Sequence, residues 1–230
     1  MYLSRIQLNP RRRDAWRLLG SPQRMHAAVL ASFPEPPTGD LGGDPRVLWR
    51  LDQDQERSFL YVVSPDRPDF AHLAEQAGWP TVERGVTKPY GDFLDSLRTG
   101  QQWAFRLAAN PTRYVPAKEG GRAKRLAHVT VLQQEAWLLE KATSSGFRVT
   151  TTSRLSSDGE KAVEIPEVAV TKRAIQSFDR NGARAPVTIG TAQFDGRLDV
   201  IDADLLRRAL VAGIGAAKAY GCGLMTLARV

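Results

Sequence analysis

The sequence predicts an α+β fold made of two similar halves in tandem. The first half opens with an amphipathic strand, Tyr2–Leu8, which Asn9-Pro10 ends. The second half repeats this opening, with a strand over Trp103–Ala109 and Asn110-Pro111 after it. In each half a helical pattern and further strand patterns follow, and halves of the order βαββαβ predict two ferredoxin-like domains.

In the first half the helices are predicted from their start signals. One helix is expected over Asp14–Leu19, after the basic run that follows Pro10. A second helix begins at Ser21-Pro22, because Ser21 can cap it and Pro22 suits the first helical position, and it ends before Pro34. Two strands and a short helix are then expected, at Leu48–Leu51, at Phe59–Val63 and within Asp66–Trp79.

An irregular stretch is expected between the halves. Pro89, Gly91 and Gly100 break the pattern between Pro80 and Gly100. The prediction is therefore an N-terminal domain at residues 1–95, a linker at 96–102 and a C-terminal domain at 103–230.

The second half continues with a helix over Val131–Ala142, whose start has the capping-box residues Thr130 and Gln133. Asn181-Gly182 is the dipeptide that a two-residue type I′ turn prefers, which predicts a hairpin over Ala174–Gly190 with a basic tip.

The last elements lead into a glycine-rich segment. Gln193–Ile201 has a strand pattern, Asp202 can cap a helix over Ala203–Ala212, and Gly213 can end that helix. The glycine-rich segment then runs from Gly213 to Leu224.

Composition favours a polyanionic partner. The 32 Lys and Arg exceed the 25 Asp and Glu by 7, and the pI is about 9.8, above the value of about 9 that marks nucleic-acid binding. Hydrophobic and charged residues are close to globular averages, which argues against a fibrous or membrane chain. No export signal or apolar run long enough to span a membrane is visible, so a cytoplasmic location is expected.

The single cysteine, Cys222, excludes an intrachain disulfide framework and the usual cysteine-based zinc clusters. Between Gly221 and Gly223 it is interpreted as a small packing residue rather than a nucleophile. Two acidic pairs, Asp52/Asp54 and Asp202/Asp204, are explained by a polar turn and a helix start, so neither a metal site nor a cofactor is predicted.

The glycine-rich segment has two readings. Its glycines would let backbone N–H groups approach an anion, with Lys218 adding charge, or they would end a helix and permit tight packing. It is neither a Rossmann fingerprint nor a P-loop, because a helix precedes it and Gly-Lys-Ser/Thr is absent.

Four motifs, in order, carry a family resemblance: Met1-Tyr-Leu-Ser-Arg5, Met25-His26, Phe105–Pro111 and Gly213–Leu224. Together they resemble the CasE family of type I-E CRISPR-associated repeat-RNA endoribonucleases. The resemblance implies two ferredoxin-like, RRM-like domains that bind the repeat stem-loop and cut once at its 3′ base without a metal. It further implies that the guide RNA stays bound for a surveillance complex whose other subunits are partners.

The resemblance also implies the catalytic residues. His26 matches the catalytic histidine, and an imidazole titrating near neutrality can exchange protons with a 2′-hydroxyl or a leaving 5′-oxygen. Gln23 stands where some relatives have tyrosine, and an amide cannot readily donate a proton in that role. Arg5, Arg24 and Lys218 are candidates to stabilise the phosphate. His72 and His128 match no motif and are interpreted as structural.

The predicted RNA contacts fall into three groups. The hairpin is expected to enter the groove of the stem, and a basic loop after Asn110-Pro111 to bind phosphate or to be a solvated face. The glycine-rich segment supports the RNA backbone. The residues are Lys172, Arg173, Arg180 and Arg184; Arg122, Lys124 and Arg125; and Gly213, Gly215, Lys218, Gly221 and Gly223. Arg24, beside His26 in the sequence, is a further predicted contact.

Two other functions remain open. The same fold could hold RNA without cutting it, since Gln23 weakens the catalytic set. A DNA-binding protein with the same positive surface is a more distant alternative.

Overall fold

A computed structural model describes residues 1–35, 46–54, 56–80, 85–116, 124–155, 162–178 and 186–230. The first half has the order β1 α1 α2 β2 β3 α3 β4 α4. The bounds are β1 Tyr2–Leu8, α1 Arg13–Leu19, α2 Pro22–Leu30, β2 Leu48–Gln53, β3 Ser58–Ser64, α3 Ala71–Ala77, β4 Val86–Pro89 and α4 Gly91–Ser96.

The second half begins at β5 and contains two α-helices and a short 3-10 helix over Lys218–Tyr220. The other bounds are β5 Gln102–Ala109, β6 Thr112–Val115, β7 Lys124–Ala127, α5 Val131–Ser144, β8 Phe147–Val149, β9 Thr151–Leu155, β10 Ala162–Pro166, β11 Val168–Phe178, β12 Val187–Val200, α6 Ala203–Ala212 and β13 Met225–Ala228.

Each half is organised around an antiparallel sheet. The first sheet has the order β2-β3-β1-β4, and the second has the order β11-β12-β5-β13 with β8 also paired to β12. The second half also contains two separate two-stranded sheets, β6-β7 and β9-β10. The protein is therefore a mixed α/β structure with antiparallel sheets.

Both faces of the first sheet are buried, and the alternation of side chains along each strand tells which residues belong to which face. On one face Ile6 and Leu8 pack with Met25 and Val29 of α2. On the other face Leu48, with Val63, belongs to a core cluster that is shared with the second half. The two halves thus meet across the first sheet's second face.

A buried arginine links the two sheets at this contact. Arg50 of β2 is 2% exposed. Its guanidinium forms a bidentate pair with Asp52 at 2.6 and 2.9 Å. The same group donates to the carbonyl oxygens of Arg106 at 2.8 Å and Leu224 at 3.3 Å, and to Oγ1 of Thr226 at 2.9 Å. One side chain from the first sheet therefore satisfies acceptors on β5, on β13 and just before β13.

Several predicted element boundaries are confirmed. The first strand covers Tyr2–Leu8 as expected. The hydroxyl of Ser21 accepts from the backbone N–H of Arg24 at the start of α2, and the capping box of Thr130 and Gln133 is present at the start of α5. Asp202 caps α6 through two backbone N–H groups.

The irregular stretch predicted between Pro80 and Gly100 is wrong in part, because it contains β4 and α4. Pro89 is the last residue of β4 and Gly91 the first of α4, so both punctuate element boundaries rather than interrupt a linker. Lys124 and Arg125 also differ from prediction, since they lie in β7 and not in a loop.

Most of the predicted final strand, Gln193–Ile201, belongs to a longer one: β12 starts at Val187, in the predicted hairpin, and ends at Val200, so Ile201 lies just beyond it. The Asn181-Gly182 turn, Arg180, Arg184 and Arg122 lie outside the described residues. Within the described part of the chain, no helix is long and apolar enough to cross a membrane.

Candidate functional site

The helix α2 presents His26 beside the core rather than within it. Pro22, Met25 and Val29 are buried and anchor the helix to the first sheet. His26 follows Met25 directly and is half-buried. Packing of the neighbouring residues therefore fixes the position of a histidine that retains access to solvent.

The imidazole of His26 has an environment that favours its neutral form. Burial lowers the pKa of His26 below its ordinary value of 6.5, and the positive charge of Arg46 lowers it further. Its Nδ1 atom is buried and has no hydrogen-bond partner among the described residues. At neutral pH the free protein therefore holds an unprotonated imidazole, which can accept a proton.

The glycine-rich segment passes close to two neighbouring residues of β2, which point to opposite faces of the first sheet. A Cβ on Gly213 would lie 2.8 Å from the side chain of Leu48. A Cβ on Gly221 would lie 2.6 Å from the ring of Trp49. The segment thus runs around the edge strand β2, from the face shared with the second half to the face that carries α2.

Glycine is required at these positions for a conformational reason as well. Gly213, Gly215, Gly221 and Gly223 all have φ between +79° and +92°. Such angles are in the left-handed or mirror-β regions, which other residues enter at a cost. The tight-packing reading of the segment is therefore supported; its contact with RNA stays a prediction.

The 3-10 helix within this segment joins three parts of the molecule. It lies against α2 and β2. The ring of Tyr220 contacts the ring of Phe178, the last residue of β11, with centroids 4.8 Å apart. The histidine helix, the glycine-rich segment and the end of β11 that leads into the predicted hairpin tip therefore converge, although they are distant in sequence.

Replacing Gly221 by alanine is expected to displace the 3-10 helix from α2. The added Cβ would meet the buried Trp49 ring at 2.6 Å, and φ is +80°. Overpacking and backbone strain together predict a loss of about 2–4 kcal/mol in the free energy of unfolding. Chemical denaturation of the purified variant measures this loss.

Gly100→Ala provides the matched control, because Gly100 has a similar φ of +88° but nothing within 4 Å of the added Cβ. The decrease in the free energy of unfolding of Gly100→Ala measures backbone strain alone, and we expect it to be about 1 kcal/mol. Equal losses in the two variants would mean that the contact with Trp49 contributes nothing.

Gln23 lies on the same helix as His26, and Lys218 lies on the 3-10 helix that contacts it. Gln23 lies one helical turn before His26, so the two side chains share one side of α2. Lys218 is half-buried in the 3-10 helix that packs against the same helix. These two residues, with His26, form the centre of the candidate site.

Arg24 and Arg5 are not brought to His26. Arg24 is exposed and precedes His26 by two residues, about 200° around the helix axis. Arg5 alternates with the buried residues Ser4 and Ile6, so it lies on the sheet face opposite α2, over the ring of Phe59 at 5.0 Å. Sharing a phosphate between Arg5 and His26 is thus incompatible with this geometry.

The predicted hairpin contacts divide between two faces of β11. Lys172 lines a cleft with Trp49, Gln176 and Tyr220, next to the glycine-rich segment. Arg173 lines a different cleft with Arg125 of β7. Because neighbouring residues of a strand point in opposite directions, these two cations cannot make the same contact.

Arg46 is a site residue that sequence reasoning missed. Its charge acts on His26, and its backbone N–H donates to the carbonyl oxygen of Val211 at 3.3 Å. It therefore stands near both α2 and the start of the glycine-rich segment. No motif in the sequence marks it, since it simply follows Pro45 before β2.

Two further findings concern Cys222 and possible metal ligands. Burial raises the pKa of Cys222 to about 12, so its thiol is neutral and unsuited to nucleophilic attack. Across the described ranges no three His, Cys, Asp or Glu side chains are grouped in a way that could hold a metal ion.

Comparison with known proteins identifies the class. A family model described as "CRISPR associated protein" matches residues 1–229, and the chain belongs to this family. The resemblance that the sequence motifs indicated is thereby confirmed.

Two characterised relatives give the family detail. The chain is 29% identical over 237 residues to the CRISPR-associated endoribonuclease Cse3 of Thermus thermophilus, covering 99% of this chain and 100% of that protein. It is 27% identical over 197 residues to the CRISPR system Cascade subunit CasE of Escherichia coli strain K12, covering 79% and 88%.

A solved structure agrees with the fold. The structure of Thermus thermophilus Cse3 bound to an RNA representing a pre-cleavage complex is 27% identical in sequence. It matches with a TM-score of 0.74, covering 99% of this chain and 98% of that one.

Proposed function

We propose that this chain is an endoribonuclease that binds the stem-loop of the CRISPR repeat and cleaves precursor CRISPR RNA at the 3′ base of the stem. The observation that carries the proposal is the convergence of three features: the α2 helix with His26, the glycine-rich segment and the end of β11 that leads into the predicted hairpin tip. The relative that is named an endoribonuclease, and its structure with a pre-cleavage RNA, support the activity.

The proposed reaction is an attack within the substrate. The 2′-oxygen forms a bond to phosphorus while the bond from phosphorus to the 5′-oxygen breaks. The 2′-hydroxyl proton passes to the neutral imidazole of His26, and the leaving 5′-oxygen takes up a proton. The products are a 2′,3′-cyclic phosphate and a 5′-hydroxyl, and because the nucleophile belongs to the RNA, the reaction needs no metal or other cofactor.

The surrounding residues would assist this step. Lys218 and Arg46 supply positive charge beside α2, where charge develops on the phosphate. Gln23 would position the phosphate through its amide, since it shares a side of the helix with His26. Lys172 on β11 would hold the stem from the hairpin side.

The proposed architecture is two ferredoxin-like domains at residues 1–95 and 103–230. In the first sheet β1 and β3 are central, as β5 and β12 are in the second, and helices follow the strands in the βαββαβ order. The retained guide RNA would join the chain to other subunits of a cytoplasmic surveillance complex, in line with the relative named a Cascade subunit.

A 2′-deoxy substitution at the scissile nucleotide tests the chemistry. Cleavage of synthetic repeat RNA is expected to proceed in EDTA and to stop with the deoxy substrate, which still binds. The repeat is identified by sequencing RNA that co-purifies with the chain from its native host. Cleavage of the deoxy substrate, or dependence on a divalent cation, would contradict the proposed attack.

The pH dependence of kcat/KM is expected to report the lowered pKa of His26. Since burial and Arg46 both disfavour the imidazolium, the base stays active as pH falls through 6.5. The rate then decreases tenfold per pH unit below the lowered pKa. Single-turnover cleavage between pH 4.5 and 8 measures this limb.

Arg46→Ala gives the internal control for this profile. Removing the positive charge raises the pKa of His26, so the acidic limb is expected to move to higher pH. A limb centred at or above 6.5 in the wild type would show that another group limits the reaction.

The second candidate is a subunit that binds RNA without cutting it. Gln23 favours it, because an amide cannot replace the proton donor that a tyrosine would supply. Tight binding of the repeat stem-loop with no product, under conditions where the RNA is folded, would select this alternative.

A further inference from the structure

A second cleft lies on the far side of β11 from the candidate active site. It has a volume of about 520 Å³, within the range of about 300–1,000 Å³ that small ligands occupy. Its walls come from β7 with the residues after it, from α5, and from β11 and β12. The residues that line the cleft include Arg125, Leu126, His128, Gln134, Arg173 and Ile175.

The walls of this cleft are apolar and open to solvent. Leu126 of β7 and Val129 beyond it are exposed, and Ile175 of β11 is 75% exposed. Apolar side chains gathered around a cleft in this way mark a binding surface more often than chance exposure does. The flat face of a nucleobase is a surface that such walls can cover.

The cleft is also lined by a buried amide side chain. Gln134 is 5% exposed, and its Nε2 donates to the carbonyl oxygen of His128 at 2.9 Å. A carbonyl can only accept, so this bond identifies which end of the amide is nitrogen. The Oε1 atom then has no hydrogen-bond partner among the described residues. That oxygen is itself buried, so it does not specify the ligand.

Its charges are all positive. Arg125 and Arg173 line the cleft, and no described lining residue is acidic. Arg173 is held by a bond from Nη1 to the carbonyl oxygen of Val129 at 3.2 Å. Guanidinium groups bind phosphate and also stack on bases.

We propose that this cleft binds one unpaired nucleotide of the RNA, with its base between the apolar walls and its phosphate on Arg125 or Arg173. The proposal rests on the proposed function, because the nucleotide belongs to the repeat RNA. A nucleotide suits the cleft better than a protein side chain, since it combines a flat apolar surface with negative charge.

An abasic scan combined with Ile175→Ala tests the proposal. Each unpaired nucleotide of the synthetic repeat RNA is replaced in turn by an abasic ribose, and Kd is measured for wild type and variant. One position is expected to weaken binding to the wild type by roughly 10- to 100-fold, as the loss of one stacked base does. Ile175→Ala should weaken binding of intact RNA and make that position insensitive.

Leu132→Ala is the matched control, because Leu132 is similarly exposed at 77% on α5 but does not line the cleft. The Leu132→Ala variant should bind intact RNA as the wild type does and be sensitive at the same abasic position. The nucleotide pocket is refuted if no abasic replacement raises the Kd of the wild type, or if the sensitive replacement raises the Kd equally in wild type and Ile175→Ala. In either case cleavage of the repeat RNA can still confirm the proposed function. If the wild type neither binds nor cuts the repeat, both proposals fail. Loss of a protein partner in Ile175→Ala with unchanged RNA binding would reassign the cleft to a protein.

Discussion

Replacing His26 by alanine is expected to slow cleavage of the repeat RNA by about 10²- to 10⁴-fold, the range that a positioned general acid or base supplies. The half-buried imidazole stands on α2 beside the 3-10 helix and is unprotonated at neutral pH. Single-turnover kinetics with saturating protein isolate the chemical step from binding and product release.

The affinity of the same variant for uncleaved RNA separates catalysis from folding. Because Met25 and Val29 anchor α2, His26→Ala should bind the deoxy substrate as the wild type does. Added imidazole should restore part of the rate, since it can replace a missing proton acceptor but not a missing packing contact. A rate within threefold of the wild type would remove His26 from the mechanism.

Replacing Arg50 by methionine is expected to lower the free energy of unfolding by about 3–5 kcal/mol, as breaking a buried ion pair does. The substitution leaves Asp52 without its bidentate partner and two carbonyl oxygens without their donor. Methionine keeps the apolar stem of the side chain and removes the guanidinium, so the loss reports mainly the polar contacts. Equilibrium denaturation measures it.

Arg57→Met is the matched control, because Arg57 pairs with Asp54 at 3.2 Å while both side chains are more than half exposed. Exposed pairs contribute little to stability, because solvent and salt screen them. If the free energy of unfolding fell no further in the Arg50 variant than in the Arg57 variant, the contacts of Arg50 between the two sheets would not stabilise the fold.

The sequence predicted the elements well where their boundaries depend on interactions between residues close in sequence. Ser21, Thr130 and Asp202 cap the helices that they were expected to cap. Each cap depends on a side chain and a backbone group within three residues, so the sequence contains the whole interaction. Pro89 and Gly91 misled the prediction because they mark element ends as readily as they mark irregular chain.

The candidate site was predicted only in part, because its assembly depends on contacts far apart in sequence. Motif resemblance indicated His26 and the glycine-rich segment. It did not indicate Arg46, which has no motif, nor that Arg5 points to the other face of the first sheet. The face of a strand follows from which neighbours are buried, and that depends on the tertiary fold.

The passage of the glycine-rich segment around β2 has a kinetic consequence. Residues near 26 and near 220 come together only after some 190 intervening residues have been brought into place. Closing so long a loop is entropically costly and belongs late on the folding pathway. A partly folded chain could therefore already hold its N-terminal sheet and its basic strands while the site around His26 was still unassembled, so RNA binding would be acquired before cleavage.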